Sequence, residues 1–197
     1  MMKKTDTDKK AKIIDAAYRV LGEQGYDKAS MKEIAKEAGV AQGLINYYFP
    51  SKENLLFELF HQETCRYCEE LEKIADMPLT QRFIHDALHV PMDLVDEHPE
   101  WHRLRFELFA IGLRSPAGNK EIADSLRLGR DQVLKAMERL PIAEGVNRDA
   151  MAAVIIAALD GLSLQKMTDP DFDAAAAYKA LADLLECYLV ASGKKEP

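Results

Sequence analysis

An all-α fold is predicted by three features of this sequence. Apolar residues recur at helical spacing along most of the chain, alternating patterns typical of strands are absent, and β-branched residues are sparse. Proline or glycine interrupts the helical pattern at 22–25, 77–78, 98–99, 115–118, 140–141 and 169–170. We therefore expect a three-helix domain over residues 1–50 and a larger helical domain over residues 51–197, with the fourth helix connecting the two.

The first two predicted helices are bounded by clear local signals. An apolar face at i, i+3, i+4 and i+7 comprises Ile14, Ala17, Tyr18 and Leu21. Gly22 and Gly25 are expected to end this helix. Ser30 is a good N-cap for the second helix, and Glu33 completes a capping box. Gly39 follows as a C′ glycine able to adopt the left-handed conformation.

A third helix is predicted from about Ala41 to Phe49, because proline disfavours helix in the residue before it. Its buried face is expected to comprise Ala41, Leu44, Ile45 and Tyr48. Its opposite face comprises Gln42, Gly43, Asn46 and Tyr47. Ser51 is expected to cap a fourth helix with apolar positions at Leu55, Leu56, Leu59 and Phe60.

The second and third helices, joined by a tight glycine turn, form a helix-turn-helix pattern. Gln42 and Asn46 are side chains that can bond adenine in the major groove, and Gly43 allows close approach. Tyr47 can bond a phosphate or lie against a thymine methyl. Ser30 with its helix-start amides, and Lys52, are each placed to hold a phosphate. An ordinary helical hairpin with a polar solvent face has the same periodicity and is the alternative.

Charge is distributed in a way that suits a DNA-binding head. Residues 1–52 carry 10 Lys and Arg against 7 Asp and Glu, a net charge of +3, whereas the remainder carries −10. A basic end on an acidic body is typical of a protein that presents one end to a polyanion. A helical adaptor that binds protein is another possibility, but the polar face of the third helix would then have no task.

Residues 13–56 resemble the DNA-binding region of the tetracycline-repressor (TetR) family. The matching segments are Gly25-Tyr26, Ser30–Val40, Gly43–Phe49 and Ser51–Leu56. The resemblance implies a homodimeric, usually repressing regulator of double-stranded DNA whose C-terminal domain binds a small-molecule effector. It also implies a phosphate contact for Lys52, recognition-helix positions for Asn46 and Tyr47, and a position near the DNA for Lys32.

Three departures from the family pattern concern the operator sequence. Asn46 stands where the family usually has tyrosine. Ala29 and Ala41 stand where a threonine and a serine are common. Ala41 leaves the third helix without its usual side-chain cap.

The C-terminal domain is expected to hold the effector and the dimer interface. An effector pocket is predicted at Phe83, His89, Met92, Trp101, Arg105, Phe106 and Phe109. Arg105, if buried, needs an acceptor, which either an internal carboxylate or an anionic ligand would supply. Residues 150–164 are apolar almost all round, so this helix and the final helix, through Tyr178, Leu181, Leu185 and Tyr188, are predicted to pair with a second copy.

Other candidate sites have weaker support. Cys65 and Cys68 form a lone CxxC that is better explained as helical packing than as a metal or redox site. The pairs His85/His89 and His98/His102 have i, i+4 spacing, but the sequence places no third ligand beside either pair, so no metal or cofactor is expected. Glycine-rich phosphate loops and GxSxG motifs are absent, so an enzyme is not expected.

The composition indicates a cytoplasmic protein. No run of about 18 apolar residues is present, so no membrane association is expected. The polar segment Met1–Lys12 lacks the apolar stretch of a signal peptide. Three cysteines, an odd number, fit a reducing compartment better than a disulfide scaffold.

Overall fold

Helices account for nearly all the regular structure of the chain. The computed structural model describes residues 4–189, with side chains from residue 7 onward, so part of the segment Met1–Lys12 lies outside the described residues. The helices are α1 (Lys4–Gln24), α2 (Met31–Glu37), α3 (Gln42–Tyr48), α4 (Lys52–Leu71), α5 (Lys73–Asp76), α6 (Phe83–Glu97), α7 (Pro99–Gly112), α8 (Pro116–Glu138), α9 (Arg148–Thr168) and α10 (Ala174–Leu189). Residues 4–189 contain no strand, which confirms the all-α prediction.

The first helix ends at one of the two predicted glycines. The backbone N–H of Gly25 donates to the carbonyl of Leu21 at 2.8 Å, and Gly25 has a φ of 75°. A left-handed residue at this position turns the chain out of the helix without the steric cost that a Cβ would bring. Gly22 instead lies inside α1, so the prediction that it also ends the helix is wrong.

The chain divides into two compact units. The N-terminal unit comprises the described residues up to Thr64 together with Glu100–Ala123. The C-terminal unit comprises Cys65–Pro99 together with the described residues from Asp124 onward. A segment distant in sequence therefore packs with the helix-turn-helix, and the domain division at residue 50 stays a prediction.

The core of the N-terminal unit joins the first four helices to α7. Its buried apolar side chains include Ile13, Ile14, Ala17, Leu21, Ile34, Ala35, Ile45, Phe49, Leu55, Leu56, Leu59, Phe60, Trp101, Leu104 and Leu108. The ring centroid of Phe60 lies 5.8 Å from that of Trp101 and 6.0 Å from that of Phe109. Each buried Leu, Ile or Phe stabilises the fold by roughly 1.5–3 kcal/mol, so this shared core holds α7 against α4.

Two glycines allow the end of α7 to approach the start of α8 within this unit. A Cβ added to Gly118 would lie 2.3 Å from the Cα of Gly112, and one added to Gly112 would lie 2.8 Å from Cδ1 of Ile122. Distances this short are not found between real Cβ atoms and their neighbours. Gly118 therefore requires glycine for space, because it faces backbone, whereas a Cβ at Gly112 would mainly displace the end of the Ile122 side chain.

The C-terminal unit is built around α6, α9 and α10. Its buried cluster comprises Phe83, Ile84, Leu88, Met137, Ile155, Tyr178, Ala182, Leu185 and Leu189. Arg139 donates to the carbonyls of Ile74 and Met77 at 2.7 and 2.6 Å while its guanidinium lies over the Phe83 ring. Lys166 of α9 donates to a carboxylate oxygen of Asp96 on α6 at 2.7 Å. These polar contacts lie at the periphery of the apolar core and join neighbouring segments there.

An apolar stripe on α9 and α10 is exposed. Its members are Ala150, Ala153, Val154, Ala157, Gly161 and Leu164 of α9 with Leu184 and Tyr188 of α10. Leu184 is 68% exposed, whereas Tyr178 and Leu185 belong to the buried cluster of their own unit. The prediction that Tyr178 and Leu185 are available for a dimer interface is therefore wrong, and Leu184, which is exposed, was not among the predicted residues.

By length and composition, α9 is the one described helix that could cross a membrane, with a mean hydropathy of 1.4. Its other face packs into the C-terminal unit through Ala152, Ile155 and Ser163. A single helix of this length and composition is weak evidence for a membrane span.

Candidate nucleic-acid interface

The turn between α2 and α3 is a Schellman motif centred on Gly39. The N–H of Val40 donates to the carbonyl of Ala35 at 3.0 Å, and the N–H of Gly39 donates to the carbonyl of Lys36 at 3.1 Å. Gly39 has a φ of 66°, the left-handed conformation that was predicted for it. The turn thereby satisfies the last carbonyls of α2 and fixes the direction in which α3 leaves.

The polar face of α3 is exposed, as predicted. Gln42, Gly43, Asn46 and Tyr47 are all exposed, and the Tyr47 side chain is 78% exposed. On the opposite side Ile45 is fully buried, while Leu44 and Tyr48 are half-buried. Ala41 is exposed, which corrects its predicted place on the buried face. Ile45 is thus the one fully buried residue of α3, and the face that carries Gln42 and Asn46 is accessible to a ligand.

Ser30 and Glu33 form the predicted capping box at the start of α2. The N–H of Glu33 donates to Oγ of Ser30 at 3.2 Å, and the N–H of Ser30 donates to Oε2 of Glu33 at 2.9 Å. Oγ of Ser30 also donates to Oε2 of Glu33 at 2.6 Å. This bond and the one from the Ser30 backbone hold the pKa of the Glu33 carboxyl below its ordinary value. Ser30 thus has a structural role here, and its phosphate contact stays a prediction. Lys32, the second residue of α2, is exposed.

Lys52 is held against the loop between α1 and α2. Its Nζ donates to the carbonyl of Ala29 at 2.6 Å and also to the carbonyl of Tyr26. The same ammonium lies 4.1 Å from the centre of the Tyr26 ring. An ammonium has three donors, so two carbonyls leave one donor for another acceptor. The structure therefore adds an intramolecular role to the phosphate contact predicted for Lys52.

The same loop is tied to α7 from within the N-terminal unit. The N–H of Tyr26 donates to Oε1 of Glu107 at 2.8 Å. At the start of α8, Oγ of Ser115 donates to Oε1 of Glu53 on α4 at 3.0 Å. Neither contact was predicted, since each pair is more than 60 residues apart along the chain.

An apolar cavity lies inside the C-terminal unit. Its volume is about 100 Å³. Its lining comprises Leu71, Ile74, Phe83, Ile84, Ala87, Leu88, Pro91, Gln132, Val133, Ala136, Met137, Leu140, Ile155, Ile156, Leu159, Leu185 and Leu189. Gln132 is the only lining side chain with polar atoms. A molecule that occupies this space must therefore present an apolar surface.

The residues predicted for the effector pocket are divided between the two units. Phe83 lines the apolar cavity, Met92 packs against the buried cluster beside it, and His89 lines a polar groove on the same unit. The other four lie in the N-terminal unit, namely Trp101, Arg105, Phe106 and Phe109. There Arg105 lies 4.7 Å above the Phe109 ring. The seven-residue pocket stays a prediction, and the cavity residues on α8, α9 and α10 were missed.

Two carboxylates lie beside His85, although the sequence had indicated no further ligand there. In the C-terminal unit, Nε2 of His85 lies 3.3 Å from Oδ1 of Asp183 and 3.5 Å from Oε1 of Glu186. The two carboxylates are i, i+3 on α10, a spacing that could have drawn attention to them. For the other pair, His98 is the C-cap of α6 and lies outside a helix.

Comparison with known proteins identifies the family. A family model for bacterial regulatory proteins of the tetR family matches residues 13–59, and a tetracyclin repressor-like C-terminal domain matches residues 80–187. The chain therefore belongs to the tetracycline-repressor family of transcriptional regulators, which confirms the predicted class and its helix-turn-helix.

Individual relatives are similar over different lengths. The HTH-type transcriptional regulator PksA of Bacillus subtilis is 27% identical over 179 residues, covering 86% of this chain and 84% of PksA. The fatty acid metabolism regulator protein of the same organism is 44% identical over 61 residues, and this match spans 31% of each chain. The structure of the fatty acid degradation regulator FadR from Bacillus halodurans has a TM-score of 0.69 at 25% identity and covers 90% of this chain and 94% of FadR.

Proposed function

We propose that this protein is a cytoplasmic repressor that binds a near-palindromic operator as a homodimer and is released by an apolar effector. The observation that carries the proposal is the exposed polar face of α3, held by Ile45 and the Gly39 turn. A helix of this kind docks in the major groove with its side chains against base edges. Gln42 and Asn46 would contact bases, and Tyr47 would fix the position of the helix.

Contacts with the sugar–phosphate backbone would come from the surroundings of this helix. The residues proposed for these contacts are Ser30, Lys32 and Lys52, while Gly43 within α3 would allow the helix to approach the DNA closely. Lys32 is exposed on α2, and Lys52 retains a donor beyond its two carbonyl partners. Such contacts supply affinity and fix the register without selecting a sequence.

The exposed stripe on α9 and α10 supports the homodimer. Val154 is 59% exposed and Leu184 is 68% exposed, although both are large apolar side chains. Exposed large apolar side chains at helical spacing indicate an interaction site. Two copies related by a two-fold axis would bury it in a four-helix arrangement, where the small residues Ala153, Ala157 and Gly161 allow close approach. The two α3 helices would then lie about 34–36 Å apart, or further apart by whole turns of DNA.

The dimer is tested by light scattering on a pair of matched variants. Leu184→Glu places a charge on the stripe and should give a monomer with an unchanged circular dichroism spectrum. Leu113→Glu alters an equally exposed leucine, at 67%, in the N-terminal unit and should remain a dimer. Wild-type protein that is monomeric at micromolar concentration would contradict the interface.

An apolar effector is supported by the lining of the cavity. Its volume of about 100 Å³ is somewhat smaller than the roughly 150 Å³ cavities that bind benzene, so only part of a larger molecule fits without side-chain movement. The names of two relatives refer to fatty acid metabolism and fatty acid degradation. We therefore propose a fatty acyl chain as the first effector class to examine.

The complete function is tested by gel shift on an operator obtained by selection from random DNA. Palmitoyl-CoA and octanoyl-CoA should weaken operator binding, whereas CoA alone should not. Ala87→Leu fills the cavity from α6 and should abolish the response while leaving operator affinity unchanged. Ala123→Leu, at an exposed position of α8, is the matched control and should respond as the wild type does. If no operator can be selected, the proposal that this protein is a DNA-binding repressor is wrong.

A further inference from the structure

His85, Asp183 and Glu186 form a cluster of metal-ligating side chains on the outer side of the α6–α10 pair. His85 belongs to α6, and the two carboxylates lie one turn apart on α10. One potential ligand atom from each side chain lies within 4.8 Å of the other two. The cluster opens onto the polar groove that His89 and Lys179 also line. It is distinct from the apolar cavity, none of whose lining residues belongs to it.

The two distances from His85 to the carboxylates match those between neighbouring ligands of zinc. Zinc binds histidine nitrogen at about 2.0–2.1 Å and carboxylate oxygen at about 2.0–2.2 Å, so ligand atoms at the corners of a tetrahedron are roughly 3.3–3.5 Å apart. Nε2 of His85 lies 3.3 Å from Oδ1 of Asp183 and 3.5 Å from Oε1 of Glu186. The ligand atoms of Asp183 and Glu186 lie within 4.8 Å of each other, so side-chain rotation would bring all three atoms around one cation.

A hydrogen bond from Lys179 orients one of the two carboxylates. Lys179 donates to Oδ2 of Asp183 at 2.7 Å, which leaves Oδ1 directed at His85. The side chain of His85 is only 17% exposed, so its ring is held in place rather than free to turn into solvent. Arg82 also lines the groove, and its Nε lies 3.8 Å from Oδ1 of Asp86, a carboxylate outside the cluster.

We propose that His85, Asp183 and Glu186 bind a divalent transition metal ion, with zinc the best fit. An imidazole nitrogen with two carboxylate oxygens suits zinc and its neighbours in the first transition series, whereas magnesium and calcium prefer oxygen ligands alone. Three protein ligands leave a fourth position for water. The bound ion would link α6 to α10, two helices whose opposite faces line the apolar cavity through Ile84 and Leu185.

The site is tested by calorimetric titration of the full chain with zinc at neutral pH. One zinc ion should bind per chain, and magnesium should not replace it. His85→Gln and Glu186→Gln should each weaken zinc binding by at least about tenfold. His89→Gln alters the next histidine of the same groove, one turn along α6, and should bind zinc as the wild type does. Equal zinc affinity in His85→Gln and wild type would overturn the proposal.

Thiols need a separate control, because Cys187 is exposed and adjoins Glu186 in sequence. The variant Cys187→Ser should retain full zinc affinity, and loss of binding in it would assign the metal to the thiol and overturn the site. Thermal denaturation gives a second measurement if the His85 variant is less stable. Zinc should raise the Tm of wild type and of His89→Gln but not that of His85→Gln, since a ligand stabilises only a fold that binds it.

Discussion

Glu107 of α7 accepts a hydrogen bond at 2.8 Å from the backbone N–H of Tyr26, in the loop that leads into the helix-turn-helix. The contact joins the DNA-binding helices to a segment 81 residues away within one compact unit. The oxygen that accepts this bond also lies 3.4 Å from the position that a Cβ on Gly25 would occupy. The Glu107 side chain therefore packs closely against Gly25 while it binds the backbone of Tyr26.

Removing this acceptor should destabilise the N-terminal unit. Glu107→Ala leaves the partly buried N–H of Tyr26 without its partner, which costs about 1.5–3 kcal/mol for a bond to a charged group. Glu107→Gln keeps an acceptor oxygen and should lose less. Urea unfolding measures both. Glu100→Ala is the control, since its exposed pair with Arg103 at 3.7 Å contributes about 0–1 kcal/mol. Equal losses in Glu107→Ala and Glu100→Ala would show that the bond to Tyr26 is unimportant.

The Lys52→Ala variant should affect both DNA binding and folding. Loss of one phosphate contact per subunit should flatten the slope of log K against log salt by about 0.9 per contact. Because Lys52 also binds the carbonyls of Tyr26 and Ala29, the variant should unfold at lower urea concentration. Gel shifts at several salt concentrations give the slope, on protein shown to be folded by circular dichroism.

The matched control is Lys73→Ala, in the C-terminal unit, which should leave the slope unchanged. An unchanged slope in Lys52→Ala, together with lower stability, would give Lys52 a structural role alone.

Gln42 and Asn46 should determine which operator is bound. Replacement of either by Ala should cost about 1–3 kcal/mol on the selected operator and little on random DNA, because a bidentate bond to a base is lost. Tyr47→Ala should weaken binding to both DNAs alike. Competition gel shifts with operator and random duplexes measure the ratio. If Gln42→Ala and Asn46→Ala also weaken both DNAs equally, neither side chain recognises a base.

Gly118→Ala should be among the more damaging single-methyl changes in the chain. The new Cβ would meet backbone atoms of Gly112 at 2.3 and 2.5 Å, and backbone cannot rotate away as a side chain does. Overpacking of this kind typically costs about 1–3 kcal/mol. Gly22→Ala is the control, since its Cβ would meet Glu100 at an ordinary 3.5 Å and should stabilise α1 by about 0.5–1 kcal/mol. Comparable stability of the two variants by urea unfolding would refute the close approach.

Local signals made the helix-turn-helix predictable from the sequence. The Ser30 cap, the Gly39 turn and the break at Pro50 each depend on residues no more than four positions apart, and the structure has all three. The polar face of α3 followed from periodicity alone. Ala41 was misplaced because the position before a helix does not share the helical direction of the residues that follow.

Relationships between distant segments could not be predicted in the same way. The packing of Trp101 with Phe60 and the bond from Tyr26 to Glu107 depend on tertiary structure that no spacing encodes. The face of α10 was misassigned because apolar residues lie on two sides of that helix, and only packing decides that Leu185 is buried and Leu184 exposed. For the same reason, the sequence could not show that Asp183 and Glu186 of α10 lie beside His85 of α6.

The shortness of α3 has a consequence for its dynamics. The helix has seven residues, its N-cap Ala41 makes no side-chain bond, and Ile45 is its one buried residue. An isolated helix shorter than about 12 residues is marginal in water, so α3 depends on its packing to remain helical. Local opening should therefore cost less there than in α1, and amide hydrogens of α3 should exchange with solvent deuterium before those of the α1 core. Bound operator DNA would slow that exchange, so the recognition helix would gain its full order on the DNA.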